Sequence, residues 1–334
     1  MAVWRKALFP FQILFASAVS FRKFLYKKGF FPTYQAPIPV VVVGNISTGG
    51  TGKTPMVDYL LAHFSNKLRL GVLSRGYGRK TKGYKHVLTT STSSEVGDEP
   101  LMLAQKHPNV VISVCENRPI GIQHMVQETP ELEAFFLDDA LQHFRLIPSF
   151  KIALTTFDKP WFSDRLLPVG NLREPATAAK KVDVIVVTKC PTNLDEITKN
   201  EYKSKLGILP HQQLYFSTLV YDNVVNGPKN IMLDQFLETP FVLLTGIADP
   251  SSMLHFLNKK GARFFHKKFA DHHNFTKGEI EKIRKLKRPI LTTEKDAVRL
   301  KPYNLDQLYT LGIKVEFLDG ETEFIAAVSN AITA

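Results

Sequence analysis

The hydrophobic positions of the chain fall into short continuous runs that are separated by stretches with helical spacing. Val40 to Val43 is the first such run, and apolar positions at helical spacing follow it from Met56 to Phe64. Similar runs predict strands at 70–73, 110–114, 135–137, 152–155 and 182–188, and a second set at 241–245, 262–265, 290–293 and 313–318. Buried strands that alternate with helices are typical of βαβ units. We therefore expect an α/β fold with a mostly parallel sheet and helices on both of its faces.

The length of the chain, 334 residues, predicts about two domains. Residues 207–227 lack a strong helical period and end in Asn226-Gly227-Pro228, which is typical of a connecting segment. The predicted organisation is an N-terminal segment at 1–36, a core domain at 37–210, a linker at 211–228 and a second, smaller α/β lobe at 229–334. The last helix of that lobe could pack back on the core.

The composition is ordinary but the charge is unevenly distributed. Hydrophobic residues make up 44% of the chain and charged residues 22%, which argues against a disordered or fibrous protein. Two cysteines, Cys115 and Cys190, are too few for a disulfide framework or a multi-cysteine zinc site and suit a reducing compartment. Of the net charge of +12, +7 precedes Asp58, the first acidic residue. This basic segment is suited to phosphate, whether on a bilayer, a nucleic acid or a substrate.

The basic segment contains an apolar stretch, Ala7 to Phe21, between Arg5-Lys6 and Arg22-Lys23. Fifteen helical residues span about 22 Å, whereas the hydrocarbon core of a bilayer is about 30 Å thick. A complete crossing is therefore disfavoured. We predict a membrane-associated helix that dips into one leaflet while its flanking cations meet lipid phosphates.

Three alternatives exist for this N-terminal segment. It could be a helix buried against the rest of the protein. It could also be a signal peptide, with Trp4-Arg5-Lys6 as the n-region and Ala16-Ser17-Ala18 as the cleavage site, although a nucleotide-type loop downstream argues against export. A nucleic-acid-binding arm is disfavoured because the aromatic residues lie among aliphatic ones, so we expect no nucleic-acid partner.

A glycine-rich loop lies between the first predicted strand and the helix that follows it. The sequence from Gly44 reads GNISTGGTGKT, with Ser47 where such loops usually have their first glycine. Backbone N–H groups of the loop and the helix N-terminus can surround phosphate, Lys53 can reach the β- and γ-phosphates, and the Thr54 hydroxyl can bind Mg²⁺. The pattern predicts a P-loop NTPase-like core that binds ATP. The nucleotide contacts are predicted at Ser47, Thr48, Gly49, Gly50, Thr51, Gly52, Lys53 and Thr54.

Two acidic pairs are candidates for binding the metal ion of the nucleotide or for taking a proton from the acceptor. Asp138-Asp139 ends a predicted strand, where both carboxylates can turn to a ligand, and we expect them to bind Mg²⁺ with Thr54. Asp98-Glu99 precedes another predicted helix. For either pair, a helix cap is the alternative. His272, in the second lobe, could assist a carboxylate that takes a proton from a substrate hydroxyl, although isolated histidine pairs are more often structural.

Seven motifs together resemble the tetraacyldisaccharide 4′-kinase family of bacterial lipid A synthesis. They are GNISTGGTGKTP (44–55), LSRGYGRK (73–80), VGDEPLMLA (96–104), FFLDDALQH (135–143), LLPVGNLREP (166–175), ADHHNF (270–275) and TTEKDAV (292–298). The resemblance implies transfer of the ATP γ-phosphate to the 4′-hydroxyl of an acylated glucosamine disaccharide 1-phosphate. It also implies a peripheral or monotopic enzyme at the cytoplasmic face of the bacterial inner membrane.

The resemblance also assigns roles to residues. Asp98 would be the catalytic base, paired with His272, while Lys53 would act on the phosphates. Arg173 and Glu174 would lie near the nucleotide. The lipid substrate would be contacted by Arg75, Tyr77, Glu99, Arg118 and Gln142.

Two other classes of function are compatible with parts of the sequence. A P-loop ATPase switch would hydrolyse ATP in response to a protein partner and would need no lipid acceptor. A membrane-binding module without catalysis would bind vesicles and be indifferent to Asp98→Ala and Lys53→Ala.

Overall fold

The computed structural model of the protein describes residues 8–333, so the predicted roles of Trp4, Arg5 and Lys6 lie outside the described residues. Its helices are α1 Phe9–Lys27, α2 Lys53–Phe64, α3 Ser93–Val96, α4 Asp98–Lys106, α5 Arg118–Glu128, α6 Glu196–Leu206, α7 Leu233–Leu237, α8 Ser251–Lys259, α9 Lys277–Arg284, α10 Glu294–Leu300 and α11 Glu321–Thr333.

Each of the ten predicted hydrophobic runs overlaps a strand, and five further strands within residues 8–333 were not predicted. The strands are β1 Tyr34–Gln35, β2 Val40–Gly44, β3 Leu70–Ser74, β4 Lys85–His86, β5 Val111–Val114, β6 Ala134–Asp138, β7 Leu146–Ile147, β8 Phe150–Thr156, β9 Val184–Thr188, β10 Gln213–Asn226, β11 Ile231–Met232, β12 Phe241–Thr245, β13 Phe264–Lys268, β14 Ile290–Thr293 and β15 Leu308–Phe317.

One large sheet runs through both halves of the chain, in the order β13-β12-β14-β15-β10-β9-β8-β2-β6-β3-β5-β4, with β11 on β10. Its neighbours are parallel except for three pairs: β4 with β5, β10 with β11, and β10 with β15. The prediction of a mostly parallel α/β sheet is therefore confirmed. The direction of the strands reverses where β10 meets β15.

The segment at 211–228, which we interpreted as a linker, differs from that expectation. Most of it is strand β10, fourteen residues long, which pairs with β9 of the first half and with β15 of the second. The polar residues that obscured its pattern, such as Asp222 and Asn223, lie on half-buried or exposed positions of a strand. A division into domains at the predicted bounds stays a prediction.

Both faces of the sheet are covered, because alternate residues of β2 enter different cores. Val41 and Val43 pack with α2 on one face, and Val40 and Val42 pack with α5 on the other. The first core also receives three residues of the last helix, α11: Phe324, Val328 and Ile332. The prediction of helices on both faces is confirmed.

Helix α1 contributes no buried residue to either core. It continues past Phe21, where the predicted helix ends, to Lys27, so that Arg22 and Lys23 lie within it. No helix within residues 8–333 is long and apolar enough to cross a membrane. The large apolar side chains of α1 are mostly exposed to solvent: Phe9, Phe11, Ile13, Leu14, Phe21 and Phe24. The alternative of a helix buried against the protein is not what the structure shows.

Candidate functional site

The glycine-rich loop connects the buried strand β2 to α2. Gly49 and Gly52 have φ values of 109° and 88°, a region that side chains rarely adopt, and a Cβ at either would meet no atom within 4 Å. Glycine is therefore required here by the backbone conformation rather than by crowding. The loop turns so that helix α2 begins at Lys53, directly after Gly52. This arrangement directs the helix N-terminus and the Lys53 amine toward one end of the sheet.

A second segment, residues 171–174, lies along the loop and holds it in place. The Thr48 N–H donates to the Asn171 carbonyl (2.7 Å), and the Arg173 N–H donates to the Ile46 carbonyl (2.7 Å). Arg173 Nε also donates to the Ser47 carbonyl at 3.1 Å. The backbone amide of Thr48, one of the predicted nucleotide contacts, is thus engaged by the protein itself.

Asp138 and Asp139 lie beside the loop at the end of β6. Thr54 Oγ1 donates to Asp138 Oδ2 at 3.0 Å. Arg173 forms a two-point contact with Asp139, at 3.1 and 2.8 Å, and Lys53 Nζ lies 3.8 Å from Asp139 Oδ1. The two carboxylates do not cap a helix, because residues 140–143 form turns. Both carboxylates and Thr54, the residues predicted to bind Mg²⁺, therefore meet in one place.

The surroundings of Asp138 fit a divalent cation. Its Oδ1 is buried and has no hydrogen-bond partner within residues 8–333, although a buried polar atom is rarely left unpaired. Burial raises the pKa of Asp138 to about 6, whereas a bound cation favours the ionised form. Burial would also raise the pKa of Asp139, but its hydrogen bonds with Arg173 and the charge of Lys53 hold it below the usual value. Mg²⁺ commonly takes one or two carboxylates together with substrate phosphates, and this pair supplies that number.

Asp98 and His272 come together from the two halves of the chain. Asp98 is the first residue of α4 and is 4% exposed, and its Oδ2 lies 2.6 Å from His272 Nδ1. Gly97 precedes it with φ 91°, and no side chain caps the helix there. His272 itself has a positive φ of 55°. The hydrogen bond to Asp98 raises the pKa of His272 above its usual value.

Two cations from α10 and a neighbouring carboxylate surround this pair. Lys295 Nζ lies 3.2 Å from His272 Nε2 and 2.8 Å from Glu99 Oε1, and Arg299 Nε lies 3.5 Å from Asp98 Oδ2. With His272 donating to Asp98 through Nδ1, its Nε2 can accept from Lys295, which corresponds to a neutral imidazole. The negative charge of Glu99 is also among the causes that raise the pKa of Asp138. The Asp98 pair and the Asp138 pair are thus parts of one electrostatic site.

The predicted lipid contacts are distributed around this site. Tyr77 is exposed, and its ring centroid lies 5.2 Å from that of His272. Arg118 is fully buried; it donates to the Cys115 carbonyl, and its Nε and Nη2 have no partner within residues 8–333. Burial lowers the pKa of Arg118 to about 10, and the charge of the exposed Arg75 acts in the same direction. Gln142 instead donates to the Asn45 carbonyl at 2.9 Å and so supports the loop.

Several residues at the site were not identified from the sequence. Asn45 donates to Thr51 Oγ1 at 2.9 Å and also pairs with Arg173. Lys295 lies within the TTEKDAV motif, but no role was predicted for it, and Arg299 carried no signal. Asn45 could have been found because it is the first polar residue after β2 in the glycine-rich loop. Lys295 and Arg299 reach Asp98 and His272 only in the folded chain, so no local sequence pattern indicates these contacts.

Comparisons with known proteins agree with the resemblance of the motifs. A family model described as tetraacyldisaccharide-1-P 4′-kinase matches residues 4–333. A tetraacyldisaccharide 4′-kinase of Flavobacterium johnsoniae is 39% identical, over 98% of this chain and 97% of the relative. That of Bacteroides thetaiotaomicron is 35% identical, over 95% and 90%. A crystal structure of LpxK from Aquifex aeolicus in complex with ATP aligns with a TM-score of 0.79 and 28% identity, covering 99% of this chain and 100% of that one.

Proposed function

The chain belongs to the tetraacyldisaccharide-1-P 4′-kinase family, and we propose that it transfers the γ-phosphate of ATP to the 4′-hydroxyl of a tetraacylated glucosamine disaccharide 1-phosphate. The product is a lipid A intermediate of lipopolysaccharide synthesis. The observation that supports this most strongly is the hydrogen bond between the buried Asp98 and the partly exposed His272, in a chain whose P-loop partner Asp138 feels the charge of Glu99, the residue after Asp98. A nucleotide-binding loop alone is compatible with many reactions, but a carboxylate hydrogen-bonded to an imidazole supplies a proton acceptor.

The loop residues bind and orient the phosphates of the nucleotide. Backbone N–H groups of the glycines at 49, 50 and 52 and the N-terminus of α2 are available to the phosphates, whereas the Thr51 N–H donates to the Gly49 carbonyl at 3.1 Å. Lys53 reaches the β- and γ-phosphates. Thr54, Asp138 and Asp139 would hold Mg²⁺, which neutralises phosphate charge when it is bound. Arg173 fixes Asp139 and the loop in one arrangement. Since little covalent chemistry is left to the protein in phosphoryl transfer, this positioning supplies much of the catalysis.

Asp98 acts as the base for the acceptor hydroxyl. Its carboxylate accepts the proton of the 4′-hydroxyl while the hydroxyl oxygen bonds to the γ-phosphorus and the bond to the β-phosphate oxygen breaks, so that ADP leaves. His272 holds the carboxylate in place through the 2.6 Å hydrogen bond, and Lys295 holds His272 and Glu99. Because Asp98 and His272 come from different halves of the chain, the base is complete only when both halves are in contact. This requirement limits transfer to water.

The membrane surface is the proposed partner of helix α1. Its exposed aromatic and aliphatic side chains, its basic residues Arg22 and Lys27 and the following Lys28 suit the interface of an anionic leaflet. Because the donor nucleotide is cytoplasmic, the proposed location is the cytoplasmic face of the bacterial inner membrane, in a peripheral or monotopic arrangement. The ring of Tyr77 lies beside that of His272, and the charges of Asp138 and Arg75 both act on Arg118. We assign Arg75, Tyr77 and Arg118 to the disaccharide and its phosphate.

The test of the proposed function is transfer of labelled γ-phosphate from Mg-ATP to acylated disaccharide 1-phosphate in detergent micelles. We expect labelled lipid with the unmodified chain and a loss of at least about 100-fold with Asp98→Ala and with Lys53→Ala. ATP hydrolysis without labelled lipid would favour an ATPase switch. Vesicle binding with no turnover of ATP would favour a membrane module.

A further inference from the structure

The carboxylate of Glu174 is buried beside the nucleotide loop and forms an ion pair with Lys23 of α1. The Glu174 side chain is 5% exposed and that of Lys23 is 23% exposed. A buried carboxylate that loses its cation carries a large desolvation cost, so the local structure depends on the partner being present. Here the partner comes from the helix that we assign to the membrane surface.

Glu174 is continuous with the segment that fixes the loop. The preceding residue, Arg173, holds Asp139 with two hydrogen bonds and the Ser47 carbonyl with a third. Any shift of Glu174 therefore acts directly on the side chain that positions Asp139 and the loop. Within residues 8–333, Lys23 contacts Glu174 and the ring of Phe144.

A second contact of α1 involves the chain that follows Asp139. Phe144 lies under Arg22 and Lys23, each 5.5 Å from its ring centroid, and its ring lies 5.8 Å from that of Tyr26. Arg145 Nε also donates to the Tyr26 hydroxyl at 3.4 Å. The same helix thus contacts both segments, 171–174 and 138–145, that deliver groups to the site.

We propose that Lys23 is a positioning residue, which couples the seating of α1 on the protein to the geometry of the nucleotide site through Glu174 and Arg173. The inference rests on the proposed function, because it takes the loop to bind Mg-ATP and α1 to meet lipid. When a bilayer holds the apolar side chains of α1, the helix is ordered and Lys23 stays on Glu174. Lipid and nucleotide binding are then linked, and each strengthens the other by the same factor.

The first test measures binding of a non-hydrolysable ATP analogue with Mg²⁺ by calorimetry, in the absence of lipid. For Lys23→Met we expect a Kd about fivefold or more above that of the unmodified chain, and for Lys23→Arg a Kd within about twofold of it. The matched control is Lys27→Met, which removes the same charge from the last turn of the same helix, where the side chain is exposed. Its Kd should not change.

The second test repeats the titration with vesicles that contain anionic phospholipid. Vesicles should lower the Kd of the unmodified chain about threefold or more and should leave that of Lys23→Met unchanged. Lys27→Met also lacks a cation that we assign to the leaflet, so it is compared at a vesicle concentration that saturates its membrane binding, where its Kd should fall as far as that of the unmodified chain. Thermal unfolding and circular dichroism identify a variant that fails to fold, and Lys23→Gln then replaces Lys23→Met. Equal nucleotide affinity in Lys23→Met and the unmodified chain, or a vesicle effect that survives in Lys23→Met, overturns the inference. Failure of the unmodified chain to bind the analogue at all overturns the proposed function instead.

Discussion

Asp98 Oδ2 lies 2.6 Å from His272 Nδ1, although 174 positions separate the two residues along the chain. The contact joins the start of α4 in the first half of the chain to the segment that follows β13 in the second, and Lys295 and Arg299 of α10 lie beside the pair. Its consequences for rate, for pH dependence and for backbone conformation can be measured separately.

The role of His272 can be distinguished from that of its neighbour in sequence. His273 pairs with Glu279 at 3.1 Å and does not contact Asp98. We expect His272→Ala to lower kcat by about 10- to 1000-fold with a small change in the KM for ATP, because general-base assistance is lost. His273→Ala should retain most of the activity. Equal losses in the two variants would indicate that both histidines act through folding.

The stability of the protein should depend on the protonation of His272. The hydrogen bond to Asp98 raises its pKa in the folded state above the unfolded value of about 6.5. The folded protein then binds more protons than the unfolded chain does. The stability that protonated His272 contributes is therefore complete below about pH 6.5 and is lost as pH rises through the raised pKa. We expect the difference in unfolding free energy between the unmodified chain and His272→Gln to shrink between pH 6 and pH 9 in urea titrations. A difference that grows with pH would contradict a raised pKa for His272.

Asp138 should matter for metal and nucleotide rather than for folding. Asp138→Asn removes a buried charge whose Oδ1 is unpartnered within the part of the chain described. We expect the Kd for Mg-ATP to rise about tenfold or more, while thermal stability without Mg²⁺ stays the same or increases. Calorimetry with Mg²⁺ and with EDTA separates the two effects. Equal weakening of ATP binding in both solutions would argue against a metal-ligating role.

Gly97 should resist substitution because of its backbone conformation and its neighbours. It has φ 91°, and a Cβ there would lie 3.0 Å from the Tyr77 carbonyl oxygen and 3.1 Å from backbone atoms of Gly76. We expect Gly97→Ala to lower the free energy of unfolding by about 2 kcal/mol, measured by urea titration, and to reduce activity, since the next residue is Asp98.

Gly278 provides the matched control for this substitution. It lies in α9, its φ is outside the left-handed region, and a Cβ there would meet no heavy atom within 4 Å. Gly278→Ala should therefore be neutral or stabilising by about 0.5–1 kcal/mol. Equal stability of the two variants would show that Gly97 can relax.

Local sequence signals predicted the elements but not their long-range partners. Val40–Val43 and the helix from Lys53 were predicted because hydrophobic runs and the Gly-Lys-Thr order are local properties. Strand β10 was missed because Asp222 and Asn223 interrupt its hydrophobic pattern, and because its partners β9 and β15 are distant in the sequence. Asp98 was equally compatible with a helix cap, since the sequence does not show which side chain from the other half would reach it.

The same limit applies to the site. Thr54 lies at the start of a helix, and Asp138 and Asp139 lie at the end of a strand. Their positions in a parallel sheet therefore predict that the three side chains meet. The pairing of Glu174 with Lys23 could not be anticipated, because nothing near Glu174 in the sequence indicates which cation neutralises it.

Helix α11 inserts Phe324, Val328 and Ile332 into the same core as β2 and α2. During synthesis, that core therefore stays incomplete until residues 321–333 have left the ribosome. A product truncated before residue 321 would expose this apolar surface to chaperones and proteases, even though every residue of the phosphate loop had been made. Damage to this helix should accordingly reduce the amount of enzyme in the cell more than its intrinsic rate.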